Sequence, residues 1–198
     1  VRAQFLQTPH PDLTDLPIPP DVPLLAVVGG SQGAVAVNKL VRDCAPAWLE
    51  AGIWIVHQTG ENDPDVNSLI HPHYFPLPFY HNMAGLFHRA NLVIGRSGAG
   101  TLTELAIAHT PSILIPYPFA ANDHQTYNAN VFSNSGAARL FQQKELTTER
   151  LQAEVLQLFV NHPQELQQMT AKAATLAVPD SAIRLARLLR DQIESRDG

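Results

Sequence analysis

Cysteine, charge and long apolar runs are all scarce in this chain. Its single cysteine, Cys44, excludes an internal disulfide and fits a reducing compartment. No activating pattern surrounds it, so it reads as a small packing residue and not a nucleophile. Charged residues make up only 16% of the 198, and the formal net charge is -5. Nucleic-acid binders usually present a basic surface to the phosphate backbone, so this balance argues against that class; an anionic ligand has to be met locally. No stretch approaches the roughly 20 apolar residues that span a bilayer, and no cationic, apolar and small-residue succession opens the chain. The chain therefore reads as soluble and cytoplasmic. Nine histidines are present, but His81, His88, His109 and His124 have no cysteine or carboxylate at ligand spacing, while His71 and His73 flank a loop proline. No metal site is expected. Neither Ser31 nor Ser97 sits in a Gly-x-Ser-x-Gly elbow, which argues against a serine hydrolase.

What is present is enough apolar material, 45% of residues, for one α/β domain of ordinary size. Residues 1–23 carry Pro9, Pro11, Pro17, Pro19, Pro20 and Pro23 and show neither a period of two nor one of 3.6. They read as a linker, which makes the chain look like the downstream half of something longer. From Leu24 the pattern alternates. Strands are predicted over 24–28, 53–57, 92–94, 112–115 and 138–141. Helices are predicted over 34–51 (broken or bent near Pro46), 83–90, 101–108 and 123–134, the last closed by Gly136. Helical segments over 149–160, 163–176 and 181–193 finish the chain, with Thr147 or Thr148 and Asp180 as N-cap candidates. Residues 72–78, rich in proline, read as a connection. Short, nearly unbroken apolar strands separated by helices argue for a Rossmann-like parallel sheet covered on both faces, occupying residues 24–198, with ligands beyond the C-terminal strand ends.

Two glycine-rich turns fall at such ends: Gly29-Gly30-Ser31-Gln32-Gly33-Ala34 and Gly95-Arg96-Ser97-Gly98-Ala99-Gly100. Such bends let backbone N–H groups approach an anion at a helix start. Two of them in one short chain suggest a nucleotide-bearing ligand held from two sides. Thr101-Leu102-Thr103-Glu104 supports two readings at this stage. It forms a capping box, it places a carboxylate where a ribose could be held beside the phosphate turn, or it does both, since the two are not exclusive. Asn122 or Asp123 is a candidate cap for the following helix, and the Gln125 amide lies on its first turn, within reach of a sugar hydroxyl.

Taken together with His57-Gln58-Thr59-Gly60, Phe79-Tyr80-His81-Asn82-Met83 and Asp123-His124-Gln125-Thr126-Tyr127-Asn128-Ala129, these motifs resemble in order and spacing the C-terminal half of the MurG family of peptidoglycan N-acetylglucosaminyltransferases. The resemblance covers nearly the whole chain. It implies the donor-binding domain of a two-domain GT-B glycosyltransferase that holds UDP-N-acetylglucosamine (UDP-GlcNAc). The lipid-linked acceptor, undecaprenyl-diphosphate-MurNAc-pentapeptide, and the peripheral membrane contact would belong to an N-terminal domain at the cytoplasmic face of the bacterial membrane.

The resemblance also assigns residues. Arg2 matches the last position of the family's Asn-Pro-Val-Arg element, which contacts the donor. Ser31 matches the serine of the first turn. Tyr80 stands where uracil is held, at a position often aliphatic in the family, so a backbone contact is implied there. Ala99, Gly100, Thr101, Leu102 and Thr103 match the segment around the diphosphate and sugar, Glu104 the ribose contact, and Gln125 the residue that reads the N-acetylglucosamine hydroxyls. Transfer would invert the anomeric centre and form a β-1,4 link to yield lipid II. It would use no metal or cofactor, and no catalytic residue of this chain, because the general base is sought in the N-terminal domain; the chain alone is expected to bind donor without turnover. Competing expectations are the donor subunit of a split UDP-GlcNAc glycosyltransferase and a non-catalytic nucleotide-sugar module. An epimerase is a third, for which no acid and base pair is found.

Overall fold

The structure, a computed structural model, describes residues 1–30 and 34–194. Six parallel strands form one sheet: β1 (Leu24–Val28), β2 (Trp54–Gln58), β3 (Tyr74–Leu77), β4 (Leu92–Gly95), β5 (Ser112–Leu114) and β6 (Ala138–Leu140), in the order β3-β2-β1-β4-β5-β6. Among the described residues seven α-helices accompany them: α1 (Val35–Glu50), α2 (Met83–Arg89), α3 (Ala99–Ile107), α4 (His124–Ser135), α5 (Thr148–Leu156), α6 (Pro163–Thr175) and α7 (Ser181–Glu194). None of the described helices is long and apolar enough to cross a membrane.

The strands are mostly apolar because both faces of the sheet are covered and successive side chains alternate between them. Leu25, Val27, Ile55, Ile94 and Ile113 pack with Val41 and Trp48 of α1 and Leu151 and Val155 of α5. Leu24, Ala26, Val56, Val93 and Leu114 turn the other way, onto Leu86 and Phe87 of α2, Leu105 of α3 and Phe132 of α4. Cys44 lies inside the first layer, its thiol donating to the Thr148 carbonyl at 3.3 Å; burial, with Asp43 adding to it, pushes the thiol up to about 12.

Several boundaries depart from the sequence pattern. Helix α1 runs from Val35 to Glu50 without a break at Pro46. Strand β3 occupies the proline-rich stretch that reads as a connection. Pro76 pairs opposite His57, and because β3 is an edge strand its missing N–H is tolerated there. Helix α5 gives way to a π-helical turn, Gln157–Asn161. Gly136 closes α4 in the left-handed region, at φ 83°, and Thr147 caps α5 by accepting from the Arg150 amide.

Residues 1–23 form a single 3-10 turn, Ala3–Leu6, and lie along α2. Phe5 is buried edge-on against Phe87 at 5.7 Å, and Leu13, Leu16 and Ile18 pack on the same layer. Arg89 donates to the carbonyls of Pro19 and Val22, and Asn82 to that of Asp12.

Candidate functional site

Strand order reverses between β1 and β4. Chain direction carries β2 and β3 to one side and β5 and β6 to the other, leaving a crevice beyond the paired ends Val28 and Gly95. Gly29 and Gly30 of the first glycine turn and the whole of the second stand at this crevice. In the first, Gly29 donates to the Gln58 carbonyl at 2.9 Å, and Gly30 takes φ +77°, a left-handed position that glycine adopts without strain. The Gln58 side chain locks this bend: its Oε1 accepts from the Gly30 amide at 3.0 Å, and its Nε2 donates to the carbonyls of Gly30 and Pro78, each at 3.1 Å. Gln58 thus ties the first turn to the loop that carries Phe79 and Tyr80. Ser31, assigned to the donor, lies outside the described residues, as do Gln32 and Gly33.

In the second turn, Gly98 is the N-cap of α3, so the helix starts at Ala99 and not at Thr101. Thr101 therefore has helical geometry, and the capping box expected for Thr101 and Glu104 does not form; no described side chain caps α3 or α1. The first-turn amides of α3, Ala99, Gly100 and Thr101, precede its first internal bond, from the Leu102 amide to the Gly98 carbonyl, and meet no partner among the described residues, the arrangement in which helix starts receive anions. Asn82, by contrast, caps α2. Gly98 needs glycine neither for its backbone, at φ -63°, nor for internal space, since a Cβ at Gly98 or at Gly100 would meet nothing within 4 Å. Open space in front of both is what close approach by a ligand requires. Ala99 and Gly100 are exposed, Thr101 and Thr103 half-buried and Leu102 buried; the Thr103 hydroxyl donates back to the Ala99 carbonyl at 2.8 Å.

Glu104 lies buried on α3, its carboxylate held by Arg2: Nε reaches Oε1 at 2.7 Å and Nη2 reaches Oε2 at 2.5 Å. Tyr80 is buried too, and its hydroxyl donates to Asp15 Oδ1 at 2.7 Å, so its side chain fastens the N-terminal segment. Burial, then the Asp15 carboxylate, pushes the phenol well above its usual range. Gln125 sits on the first turn of α4, its Oε1 accepting from the Tyr117 amide at 3.0 Å while its carbonyl accepts from the buried Ser97 hydroxyl at 2.7 Å. This joins α4 to the second glycine turn. Asn122 and Asp123 both adopt left-handed backbone, and Asp123 spends its carboxylate on the Thr126 hydroxyl, so neither caps α4 through its side chain. Arg96 donates to the carbonyls of Ile115 and Pro116 and to Gln143.

Behind the first turn lies a polar network the motifs did not disclose. Asp63 accepts two bonds from Arg42 (2.7 and 3.1 Å) and one from Asn38 (2.8 Å); Asn38 also donates to the Thr59 carbonyl. His57 Nε2 faces Asn38 Oδ1 at 3.0 Å and Nδ1 faces the Tyr74 hydroxyl at 2.8 Å. Because both Asn38 N–H bonds are committed, its oxygen is the acceptor and the His57 proton sits on Nε2. Burial, then repulsion from Arg42, holds His57 neutral, down to about 3, with Asp63 opposing. Burial pushes the Asp63 carboxyl up, but the hydrogen bonds from Arg42, the Asp65 amide and Asn38 outweigh it and leave it below its usual value. Among the described residues no cluster of histidine, cysteine and carboxylates could hold a metal ion.

Fold and crevice define a doubly wound α/β domain of the GT-B glycosyltransferase type. The chain belongs to glycosyltransferase family 28, whose C-terminal domain matches residues 24–185. It is 61% identical over 191 residues to the UDP-N-acetylglucosamine--N-acetylmuramyl-(pentapeptide) pyrophosphoryl-undecaprenol N-acetylglucosamine transferase of Trichodesmium erythraeum (strain IMS101), covering 96% of this chain and 50% of that protein. To the protein of the same name from Gloeothece citriformis (strain PCC 7424) it is 63% identical, covering 96% and 52%. The chain thus spans about half the length of the curated relatives it matches. Among solved structures, MurG of Acinetobacter baumannii superposes with a TM-score of 0.76 at 34% identity, over 86% of this chain and 50% of that one. CalG4, the calicheamicin glycosyltransferase, shares the fold alone, with a TM-score of 0.67 at 19% identity over 93% and 48%.

Proposed function

We propose that this chain is the donor-binding half of an inverting N-acetylglucosaminyltransferase that holds UDP-GlcNAc in the crevice between β1 and β4. The observation that carries this is the pair of helix starts, α1 and α3, with no described side chain capping them, opening at the point where strand order reverses, with clear space before Gly98 and Gly100. The diphosphate lies against these amides, the ribose against Glu104, the base against the backbone at Tyr80, and the N-acetylglucosamine against Gln125, whose N–H₂ offers two donors. Arg2, Ser31, Leu102 and Thr103 complete the donor side. Negative charge builds on the leaving UDP as the anomeric carbon is displaced, and fixed backbone dipoles stabilise it without reorganising.

By likeness to the relatives named above, the acceptor is the undecaprenyl-diphosphate-linked muramoyl pentapeptide and the product lipid II. Its 4-hydroxyl attacks, and the base that takes its proton belongs to an N-terminal acceptor domain, which also makes the contact with the cytoplasmic face of the membrane. Residues 1–23 are the connection between the two halves and 24–198 the donor domain.

Calorimetric titration with UDP-GlcNAc, UDP-glucose and UDP tests this. Glu104→Ala is expected to weaken UDP-GlcNAc and UDP alike, by roughly 10- to 100-fold, the loss of a charge-assisted bond. Gln125→Ala is expected to weaken UDP-GlcNAc while leaving UDP unchanged. A chain that binds no UDP, or a Glu104→Ala variant with undiminished UDP affinity, defeats the assignment. Gly98→Ala separates ligand space from fold: stability should move by only a few tenths of a kcal/mol, as at other helix starts, while UDP affinity drops about 10-fold. Equal affinity in the two proteins would show that nothing approaches Gly98.

A further inference from the structure

Gln58 is the last residue of β2, the strand between β1 and β3, and it is only 4% exposed. Its main chain closes the ordinary ladders: the Gln58 carbonyl accepts from Gly29 on one side, and the next amide, Thr59, donates to the Leu77 carbonyl on the other, each at 2.9 Å. The side-chain amide then carries both pairings one residue further, to Gly30 and to Pro78. One group thus fastens two exits, the bend that follows β1 and the loop that follows β3. Both of its hydrogens are spent on main-chain carbonyls, so what Gln58 determines is where backbone stands.

The loop over 78–80 is fastened at its far end as well, by the buried Tyr80 ring and the bond from its hydroxyl to Asp15. Between the two fastenings lies one exposed residue, Phe79, whose peptide groups are set from both sides. That matters to a base. Uracil presents an acceptor at O4 and a donor at N3, where cytosine presents the N4 donor and an acceptor at N3. A main chain held still matches one of these patterns and leaves the other with donor facing donor or acceptor facing acceptor, whereas a loop free to rotate a peptide serves either.

We infer that Gln58 is a positioning residue for the base: by pinning the Pro78 carbonyl to the first glycine turn it fixes the main chain over 78–80, and so makes the site selective for uracil over cytosine nucleotides. The inference rests on the proposed seating of the base at the Tyr80 backbone and goes beyond it by naming the side chain that holds this backbone in place. A glutamine that served the first turn alone would act on every diphosphate equally; one that holds the base loop acts on the choice between bases.

The test compares UDP and CDP binding to the parent chain, Gln58→Met and Gln58→Glu, with melting curves to confirm that each variant is folded. The two ligands carry the same diphosphate, so their affinity ratio cancels any change confined to the phosphate turn, any added charge and any general loss of stability. The parent chain should prefer UDP by about 10- to 100-fold, the cost of mispaired polar groups. Gln58→Met, which keeps the length of the side chain without its hydrogen bonds, should weaken UDP by about 10-fold and bring the ratio to within about 3-fold of one. Gln58→Glu keeps the acceptor for the Gly30 amide but turns oxygen toward the carbonyls of Gly30 and Pro78, and should lose the preference in the same way. Being isosteric, it gives the answer where the methionine does not fold. A ratio that stays at the parent value in a folded variant overturns the inference, Gln58 then serving the first turn or the fold alone. If the parent chain binds UDP but does not prefer it to CDP, the seating of the base at the Tyr80 backbone is what fails, and the inference falls with it.

Discussion

Asp63→Ala should lower the unfolding free energy by about 3 kcal/mol, the cost of removing the close partner of a buried charge and leaving Arg42 only the exposed Asp65 carboxylate at 3.9 Å. The Asp63 side chain is wholly enclosed and that of Arg42 is 6% exposed, so water cannot replace the lost carboxylate. The variant also strips an acceptor from Asn38, the residue that fixes His57 and the Thr59 carbonyl. Urea denaturation reads the loss directly. Exchanging both Arg42 and Asp63 for apolar residues of similar volume should restore part of it, because the penalty lies in the unpaired charge and not in the absence of the pair. A drop of less than 1 kcal/mol for Asp63→Ala would mean that the network carries little of the fold.

Acid should destabilise the domain well before its carboxylates titrate. The His57 pKa in the folded chain is lowered to about 3 against an ordinary value near 6.5. Above pH 6.5 both folded and unfolded chains leave His57 neutral, so it adds no pH dependence. As pH falls below 6.5 the unfolded chain takes up the proton that the folded chain refuses, and stability declines until the folded value is reached. At about 1.4 kcal/mol per pH unit this amounts to about 3 kcal/mol by pH 4. His88 works in the same sense: burial first, then His10 and His109, brings it to about 4. Asp63 adds its share only lower still. Its depressed carboxyl contributes stability above the ordinary carboxylate range, and that contribution is lost as pH falls through its folded value. Urea midpoints across pH 7 to 4 should therefore slope downward, and His57→Gln, which keeps a donor for Asn38 and an acceptor for Tyr74, should flatten the slope. Identical slopes in the two proteins would remove His57 from the account.

The sheet was legible because its strands are covered on both faces, so five of the six announce themselves as apolar runs. Strand β3 was not, because Pro72, Pro76 and Pro78 punctuate it as a turn would, and only its place at the sheet edge makes the prolines acceptable. Both glycine turns were legible, and the structure sets Gly29 and Gly30, at the head of the first, beside the second across the β1–β4 pair. The capping box was misleading: Thr-x-x-Glu spacing is indifferent to whether the helix has already begun, and Gly98 starts it three residues sooner than Thr101.

Contacts that depend on distant partners left no trace in local pattern. Arg2 and Glu104 lie 102 residues apart, and Tyr80 and Asp15 are 65 apart. The network around Asp63 had one signal available, a histidine in the apolar run Trp54–Gln58, where a polar ring needs buried partners. The Gln58 clamp was equally hidden, since a glutamine at a strand end is ordinary until the backbone it grips is known.

The two margins of the sheet bear on behaviour in concentrated solution. An open strand edge is a template on which another molecule's strand can grow. Here one margin is β3, interrupted by Pro76, and the other is β6, where exposed Arg139 is tethered to Glu154 and Glu165 at 3.1 and 2.6 Å. Neither border offers an uninterrupted, uncharged ladder, so the domain is protected against ribbon-like aggregation by features that have no part in its chemistry.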